Sequence, residues 1–101
     1  MRDKVPSRTE YELLVLTIKE RTGREIADAY RKSVGRRISY GTLYTTLRRM
    51  KEAGWIAVRD DEDQDGRLKW FRILGAGARA LQRARAPFIP DPLAVPKGAT
   101  G

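Results

Sequence analysis

Residues 38 to 56 read ISYGTLYTTLRRMKEAGWI, and this stretch decides the fold. Ser39 is a residue type that caps helix N-termini, and Gly54 can end a helix in the left-handed region. The spacing therefore predicts a helix from about Tyr40 to Ala53. Its apolar residues recur at helical spacing and should face a core: Leu43, Leu47 and Met50. The opposite face is polar and basic and suits solvent, whereas the apolar face must be covered by other parts of the chain.

Two further helices are predicted before this stretch. Ser7 with Glu10 and Thr22 with Glu25 both have the spacing of a capping box, and Thr9 is a second N-cap candidate for the first helix. The first helix has apolar residues at helical spacing, namely Tyr11, Leu14, Val15 and Ile18, widened by Leu13 and Leu16. The second should run from about Arg24 to Val34 and stop at Gly35, with inner residues Ile26, Ala27, Tyr30 and Val34.

After Gly54 the pattern changes to that of strands. Ile56 and Val58 alternate with more polar neighbours, and residues 68–74 are β-rich. The acidic segment 60–67 between them predicts a hairpin with a longer loop. A last short helix is expected from about Ala76 to Arg85.

The order helix, helix, helix, hairpin, short helix predicts a mainly α protein with a small β-hairpin. That is a winged helix-turn-helix with three helices, a two-stranded wing and a short C-terminal helix. We expect a flexible N-terminus over residues 1–8, a winged-helix domain over 9–85 and a flexible Pro/Gly-rich tail over 86–101.

Composition narrows the function. The 101 residues include 21 Lys and Arg against 13 acids, which gives a formal charge of +8. This charge favours a protein that binds a polyanion such as nucleic acid over one whose basic surface is merely soluble and has no polyanion partner. Cysteine and histidine are absent, so disulfides, thiolate chemistry and the commonest general base and zinc ligand are excluded. No catalytic constellation, metal or cofactor site is expected. No apolar run could span a membrane or serve as a secretory signal, which predicts a cytoplasmic protein.

The segment DEDQDGRLKWFR, residues 61–72, begins like a calcium-binding EF-hand loop. The twelfth position of such a loop needs a bidentate acid, but Arg72 stands there. The flanking residues also favour strands where an EF-hand has helices. We interpret the segment as the tip and second strand of the wing, where Asp and Gly are ordinary turn residues. Its acids can repel the phosphate backbone and so suppress non-specific binding to DNA.

In a helix-turn-helix protein, the second helix of the pair enters the DNA major groove. The predicted DNA-binding residues lie on or beside the helix that starts at Tyr40: Ser39, Tyr40, Gly41, Thr42, Thr45, Thr46 and Arg49. Flanking cations are predicted to contact phosphates: Arg36, Arg37, Arg48, Lys51, Arg67 and Lys69. Tyr40 and Tyr44 stay open, since either ring can pack inward and offer its hydroxyl to a phosphate.

The same residues resemble the PadR-like transcriptional regulators. The recognition helix of that family reads Gly-Thr-Leu-Tyr followed by Leu-Arg-Arg, here residues 41–44 and 47–49. Residues 67–73 with Gly77 and Leu81 resemble its second wing strand and last helix, and residues 11–16 its first helix. The resemblance covers about residues 9–85. Where the family commonly has prolines, this chain has Tyr40 and Thr45.

The resemblance implies a sequence-specific double-stranded DNA-binding repressor, usually dimeric, in a family where some members bind small aromatic ligands. Here the predicted last helix is short and soon meets Pro87, so a homodimer stays an open question and no small-molecule inducer is expected. A different class of function is also open. Winged helices can hold protein partners, and the acidic wing would then be the contact surface for a basic protein.

Overall fold

The computed structural model describes residues 4–61 and 68–85. This part of the chain forms four helices and a three-stranded antiparallel sheet. The elements are α1 (Arg8–Leu16), β1 (Arg21–Thr22), α2 (Gly23–Val34), α3 (Tyr40–Glu52), β2 (Ile56–Asp60), β3 (Lys69–Ile73) and α4 (Gly75–Arg85). The predicted winged-helix architecture is confirmed, with one strand more in the sheet than the sequence predicted.

Local capping sets where the first two helices begin. Glu10 N–H donates to Ser7 Oγ at 3.1 Å, and Ser7 N–H donates back to Glu10 Oε1 at 2.8 Å. Thr22 and Glu25 form the same reciprocal pair at 3.2 and 3.0 Å. Both predicted capping boxes are therefore confirmed. Thr9 lies inside α1, so Ser7 is the cap.

Two glycines end helices as predicted. Gly35 has φ of 88° after α2, and its N–H donates to Arg31 O at 2.9 Å. Gly54 has φ of 79° directly after the α3 C-cap, Ala53. Residues other than glycine rarely adopt such positive φ angles, because their Cβ atoms clash with the backbone. The chain therefore turns sharply after each of these helices.

The hydrophobic core lies between the helices and the inner face of the sheet. Its largest fully buried members come from α1, α2, α3 and β2: Leu13, Leu14, Ile26, Leu43, Leu47, Met50 and Ile56. The other buried members are Tyr30, Trp55, Phe71, Ala80 and Leu81. The predicted inner residues of α3 are thus confirmed as core.

The predicted inward face of α1 was partly wrong. Val15 is 38% exposed and Ile18 is 57% exposed. The helix ends at Leu16, so helical spacing no longer applies at Ile18. The buried face runs instead through Glu10, Leu13, Leu14 and Thr17. Glu10 can be buried there because it is bonded in the capping box, and the Thr17 hydroxyl donates to Leu13 O and Leu14 O at 3.1 and 3.0 Å.

The sheet has the order β1-β3-β2, so β3 is its central strand. In β1, Arg21 pairs with Phe71 and Thr22 with Trp70. This strand was missed from the sequence, since two residues are too few to show an alternating pattern and Thr22 also caps α2. The wing is therefore joined to the start of α2 by backbone pairing, and is not a free hairpin.

Close packing joins the wing to α4. Leu74 N–H donates to Trp55 O at 2.8 Å. Gly77, buried in α4, lies so close to this carbonyl that a Cβ there would overlap the oxygen and come within 2.9 Å of Ile73 Cγ1. A glycine at this position lets α4 approach the end of β3. Trp55 itself is buried.

Several predictions fall outside the described residues. They are the flexible tail 86–101, the phosphate contact of Arg67, and the acids Glu62, Asp63 and Asp65. The segment that carries these acids is flanked by strands β2 and β3, and not by the helices of an EF-hand. Within residues 4–61 and 68–85, no helix is long and apolar enough to cross a membrane.

Candidate nucleic-acid interface

The N-terminus of α3 is capped by Ser39. Thr42 N–H donates to Ser39 Oγ at 3.1 Å, and the Ser39 hydroxyl donates to Thr42 Oγ1 at 3.0 Å. Ser39, Tyr40, Gly41 and Thr42 are all exposed. The helix thus begins at a surface where its positive end faces solvent, which favours an anion such as phosphate.

The rest of α3 divides into two faces. Leu43, Leu47 and Met50 are buried against the core, while Thr45 and Arg49 are exposed. Residues three and four apart lie on the same side of a helix, so Thr42, Thr45 and Arg49 share one solvent-facing side. The structure therefore brings these three predicted residues together as a continuous row of polar side chains.

Thr46 departs from its predicted exposure. The residue is only 3% exposed, and its hydroxyl donates to Thr42 O at 2.7 Å. The prediction that Thr46 lies at the outer face is wrong. It follows Leu43 by three residues and precedes Met50 by four, so it lies on the inner side of α3. A threonine suits such a position because its hydroxyl can be satisfied by the preceding turn of its own helix.

Cations surround this face. Arg36, Arg37, Arg48, Arg49 and Lys51 are all exposed. Among residues 4–61 and 68–85, the four arginines of this set form no ion pair, so their charge is not neutralised by a described neighbour. Exposed cations of this kind are suited to contacts with the phosphate backbone.

Lys69, the predicted phosphate contact of the wing that lies within the described residues, already forms an ion pair. Lys69 Nζ lies 2.6 Å from Asp60 Oδ1, and its hydrogen bond lowers the pKa of Asp60. The side chain of Lys69 is about half exposed, so a phosphate would have to compete with Asp60. The next acid, Asp61, accepts a hydrogen bond from the Trp70 indole nitrogen at 3.2 Å. These two acids of the predicted protein-contact surface are therefore bonded within the wing.

Aromatic rings contact each other in series from the start of α3 to strand β3. The Tyr40 and Tyr44 rings are stacked, with centroids 6.1 Å apart and an interplanar angle of 26°. Tyr44 in turn contacts buried Phe71 of β3, with centroids 6.2 Å apart. The open question about these tyrosines is thus answered in part: both rings are roughly half exposed, and only Tyr44 reaches the core. No pattern in the sequence indicated the contact with Phe71, which is distant along the chain.

The wing is held by a network that the sequence did not indicate. Arg59 of β2 donates two hydrogen bonds to Glu20, in the turn between α1 and β1. Its guanidinium also lies over the Trp70 ring, 5.3 Å from the centroid. The hydrogen bonds from Arg59 lower the pKa of Glu20, and the same pair raises the pKa of Arg59. The wing therefore has a defined position relative to the helices.

Comparison with solved structures supports the fold. The chain is similar to a PadR family transcriptional regulator from Eggerthella lenta, with a TM-score of 0.72 and 22% identity over 79% of this chain and 70% of that one. A PadR family regulator from Clostridium difficile gives a TM-score of 0.65 and 25% identity, covering 77% and 85%.

A third similar structure is Bacillus subtilis PadR in complex with operator DNA, with a TM-score of 0.70 and 22% identity. The match covers 94% of this chain but 56% of that protein, so the present chain spans little more than half of its length. At this identity the likeness is one of fold. No curated protein matches the chain.

A family model adds evidence at the level of sequence. The model described as the transcriptional regulator PadR-like family matches residues 13–83, which is more than half of the chain. The match includes α2, α3, the wing and most of α4, and it agrees with the resemblance seen in residues 38–56. The chain therefore belongs to the PadR-like family of transcriptional regulators.

Proposed function

We propose that this transcriptional regulator binds double-stranded DNA sequence-specifically, with α3 in the major groove. The observation that carries the proposal is the exposed side of α3, where Thr42, Thr45 and Arg49 form a row opposite the buried leucines. A major groove admits a helix, and short hydroxyl side chains and arginine can distinguish base edges there.

The proposed contacts divide by chemistry. Arg49 can bond a guanine through two nitrogens, and Thr42 and Thr45 can bond a base edge or contact a thymine methyl group. Ser39 and the backbone of Gly41 lie at the positive end of α3, where a phosphate is favoured. Arg36, Arg37, Arg48 and Lys51 are proposed backbone contacts. Arg67 and Lys69 of the wing are proposed for the same role.

We further propose that the protein acts as a repressor in the cytoplasm and has no catalytic activity. Bound DNA would be covered by α3 and the wing, which blocks access by other proteins. The domain that does this spans residues 9–85, and the acidic wing tip limits binding to random DNA by repelling phosphates.

The oligomeric state decides the form of the operator. A homodimer would read two half-sites about one helical turn apart, roughly 34–36 Å. A monomer would read a short single site. Helix α4 packs on α1, and its 11 described residues offer a limited surface to a second copy. Light scattering after size exclusion would separate the two states.

The test is a fluorescence titration of genomic fragments at several salt concentrations. Binding should prefer some fragments over others. Each phosphate contact should add about −0.9 to the slope of log affinity against log salt concentration. Equal affinity for all fragments would overturn sequence-specific binding and leave only an electrostatic attraction.

A further inference from the structure

We propose that Tyr40 is a specificity-determining residue, that Tyr44 is the residue that positions it, and that Gly23 makes room for Tyr44. This inference rests on the proposed function, since it concerns how α3 recognises its operator. It assigns three residues from two helices to one recognition unit: Tyr40 and Tyr44 of α3, and Gly23 of α2.

Gly23 defines where Tyr44 lies. A Cβ at this position would overlap the Tyr44 hydroxyl oxygen and come within 2.6 Å of Cζ. The Tyr44 side chain therefore crosses from α3 to the first residue of α2 and occupies the space that any larger residue would fill. Phe71 contacts the ring as well, with centroids 6.2 Å apart. Together, the two contacts favour this position of the Tyr44 ring.

Tyr40 depends on this fixed ring. It is the first residue of α3 and is 53% exposed, while Tyr44 is 43% exposed. An exposed tyrosine would ordinarily sample several rotamers and lose that freedom on binding. Because the Tyr40 ring is stacked on Tyr44, with centroids 6.1 Å apart, it has less rotamer freedom to lose when DNA binds. The stack also holds the ring at the N-terminal end of α3, which is the end that contacts base edges in a helix-turn-helix complex.

The chemistry of the ring sets what it can recognise. Aromatic and methyl-bearing side chains make apolar contacts with the thymine methyl group in the major groove. Such a contact uses the ring and needs no hydroxyl. We therefore assign the Tyr40 ring to one thymine-containing base pair of the operator. A phosphate contact would use the hydroxyl instead and would carry no base preference.

The test measures base preference with a randomised operator library, using the full chain. Tyr40→Ala should lower discrimination at one base pair by about tenfold, comparable to a single mismatch. Tyr44→Ala and Gly23→Ala should lower discrimination at that same base pair, because each releases the Tyr40 ring. Tyr40→Phe and Tyr44→Phe should keep the preference, because both keep the stack.

Controls separate positioning from folding. Gly75→Ala changes another helix-start glycine, where the nearest atom to the added Cβ is Arg79 Nη1 at 3.4 Å, and should leave base preference unaltered. Thermal denaturation of every variant shows whether it is folded at the temperature of the assay. Gly23→Ala and Tyr44→Ala reach the same outcome by different changes, so one unfolded variant does not prevent the test.

The outcomes are distinguishable. If the wild-type protein shows no base preference, the proposed function fails. If it shows one, but Tyr40→Ala weakens all sequences equally or Tyr40→Phe behaves like Tyr40→Ala, the ring does not read a base and the inference alone is overturned. If folded Tyr44→Ala and Gly23→Ala keep the wild-type preference, the positioning role is overturned.

Discussion

Arg59 and Glu20 form a two-pronged ion pair, from Nε to Oε2 and from Nη2 to Oε1, with both hydrogen bonds 3.0 Å long. The pair joins strand β2 of the wing to the turn after α1. Because the guanidinium also lies over Trp70, the same side chain contacts β3. The wing and the helices are therefore held in one arrangement, as the proposed binding of α3 and the wing to the same DNA requires.

Replacing Glu20 by a neutral residue should change how thermal stability depends on pH, because it removes the ion pair with Arg59. Arg59 lowers the pKa of Glu20 below its ordinary value of 4.5, so the stability that the pair contributes is fully present above that pH. It is lost as the pH falls through the lowered pKa. We expect Glu20→Gln to melt below the wild type at pH 7, by a small margin because solvent screens an exposed pair, and the difference to vanish in acid.

Thermal denaturation of both proteins between pH 7 and pH 3 checks this expectation. Glu52→Gln removes an exposed carboxylate of α3 that forms no ion pair within the described residues, and it serves as the control. A difference between Glu20→Gln and wild type that stays constant at all pH values would show that the charge of Glu20 contributes nothing.

Gly77→Ala should destabilise the fold. The new Cβ would overlap the Trp55 carbonyl oxygen, and backbone cannot move aside as a flexible side chain can. Overpacking of this kind costs about 1–3 kcal/mol, more than the gain of about 1 kcal/mol from replacing glycine in a helix. Urea denaturation measures the loss. The matched substitution Gly75→Ala in the same helix should cost little, and equal stability of the two variants would refute the packing argument.

Thr45 and Thr46 are adjacent, yet substitution of Thr46 should affect stability and substitution of Thr45 should affect base preference. Thr46→Ala removes a buried methyl and a hydrogen bond to Thr42 O, so it should cost about 1 kcal/mol of stability. It should leave base preference unchanged. Thr45→Ala should change stability by less than about 0.5 kcal/mol because the side chain is exposed, and it should alter base preference. Denaturation and operator-library binding on both variants give the answer; a base-preference change in folded Thr46→Ala would contradict the assignment.

Arg49→Ala distinguishes base reading from backbone contact. If Arg49 bonds a guanine, its loss should cost about 1–3 kcal/mol of binding free energy on the operator and relax specificity at one position. Arg8→Ala removes the same charge from α1, where the side chain is 87% exposed, and controls for net charge. A loss with Arg49→Ala that is equal on operator and random DNA would instead assign Arg49 to a phosphate.

Much of the fold could be predicted because its signals are short-range. Each capping box joins residues three apart, and the glycines after α2 and α3 end those helices through their own backbone angles. The buried stripe of α3 follows from helical spacing, and so does the exposed row of Thr42, Thr45 and Arg49. For the same reason, most residues of the candidate site could be predicted from the amino-acid sequence.

The errors in α1 have two physical origins. Ile18 is apolar but exposed because it follows the end of the helix at Leu16. Glu10 and Thr17 are polar but buried because hydrogen bonds at the two ends of α1 satisfy them. Thr46 is buried for a similar reason. Hydrophobicity alone misplaces residues whose polar atoms find partners in the same helix.

The amino-acid sequence by itself determined the order of the four helices and the hairpin, the ends of α2 and α3 and the exposed polar row of α3, since these depend on residues close to each other in the chain. Only the tertiary structure decided the pairing of β1 with β3, the Arg59–Glu20 pair and the position of Tyr44 against Gly23. These contacts join segments that are far apart in the chain. They form only when the core has brought the helices and the wing together, so no local pattern encodes them.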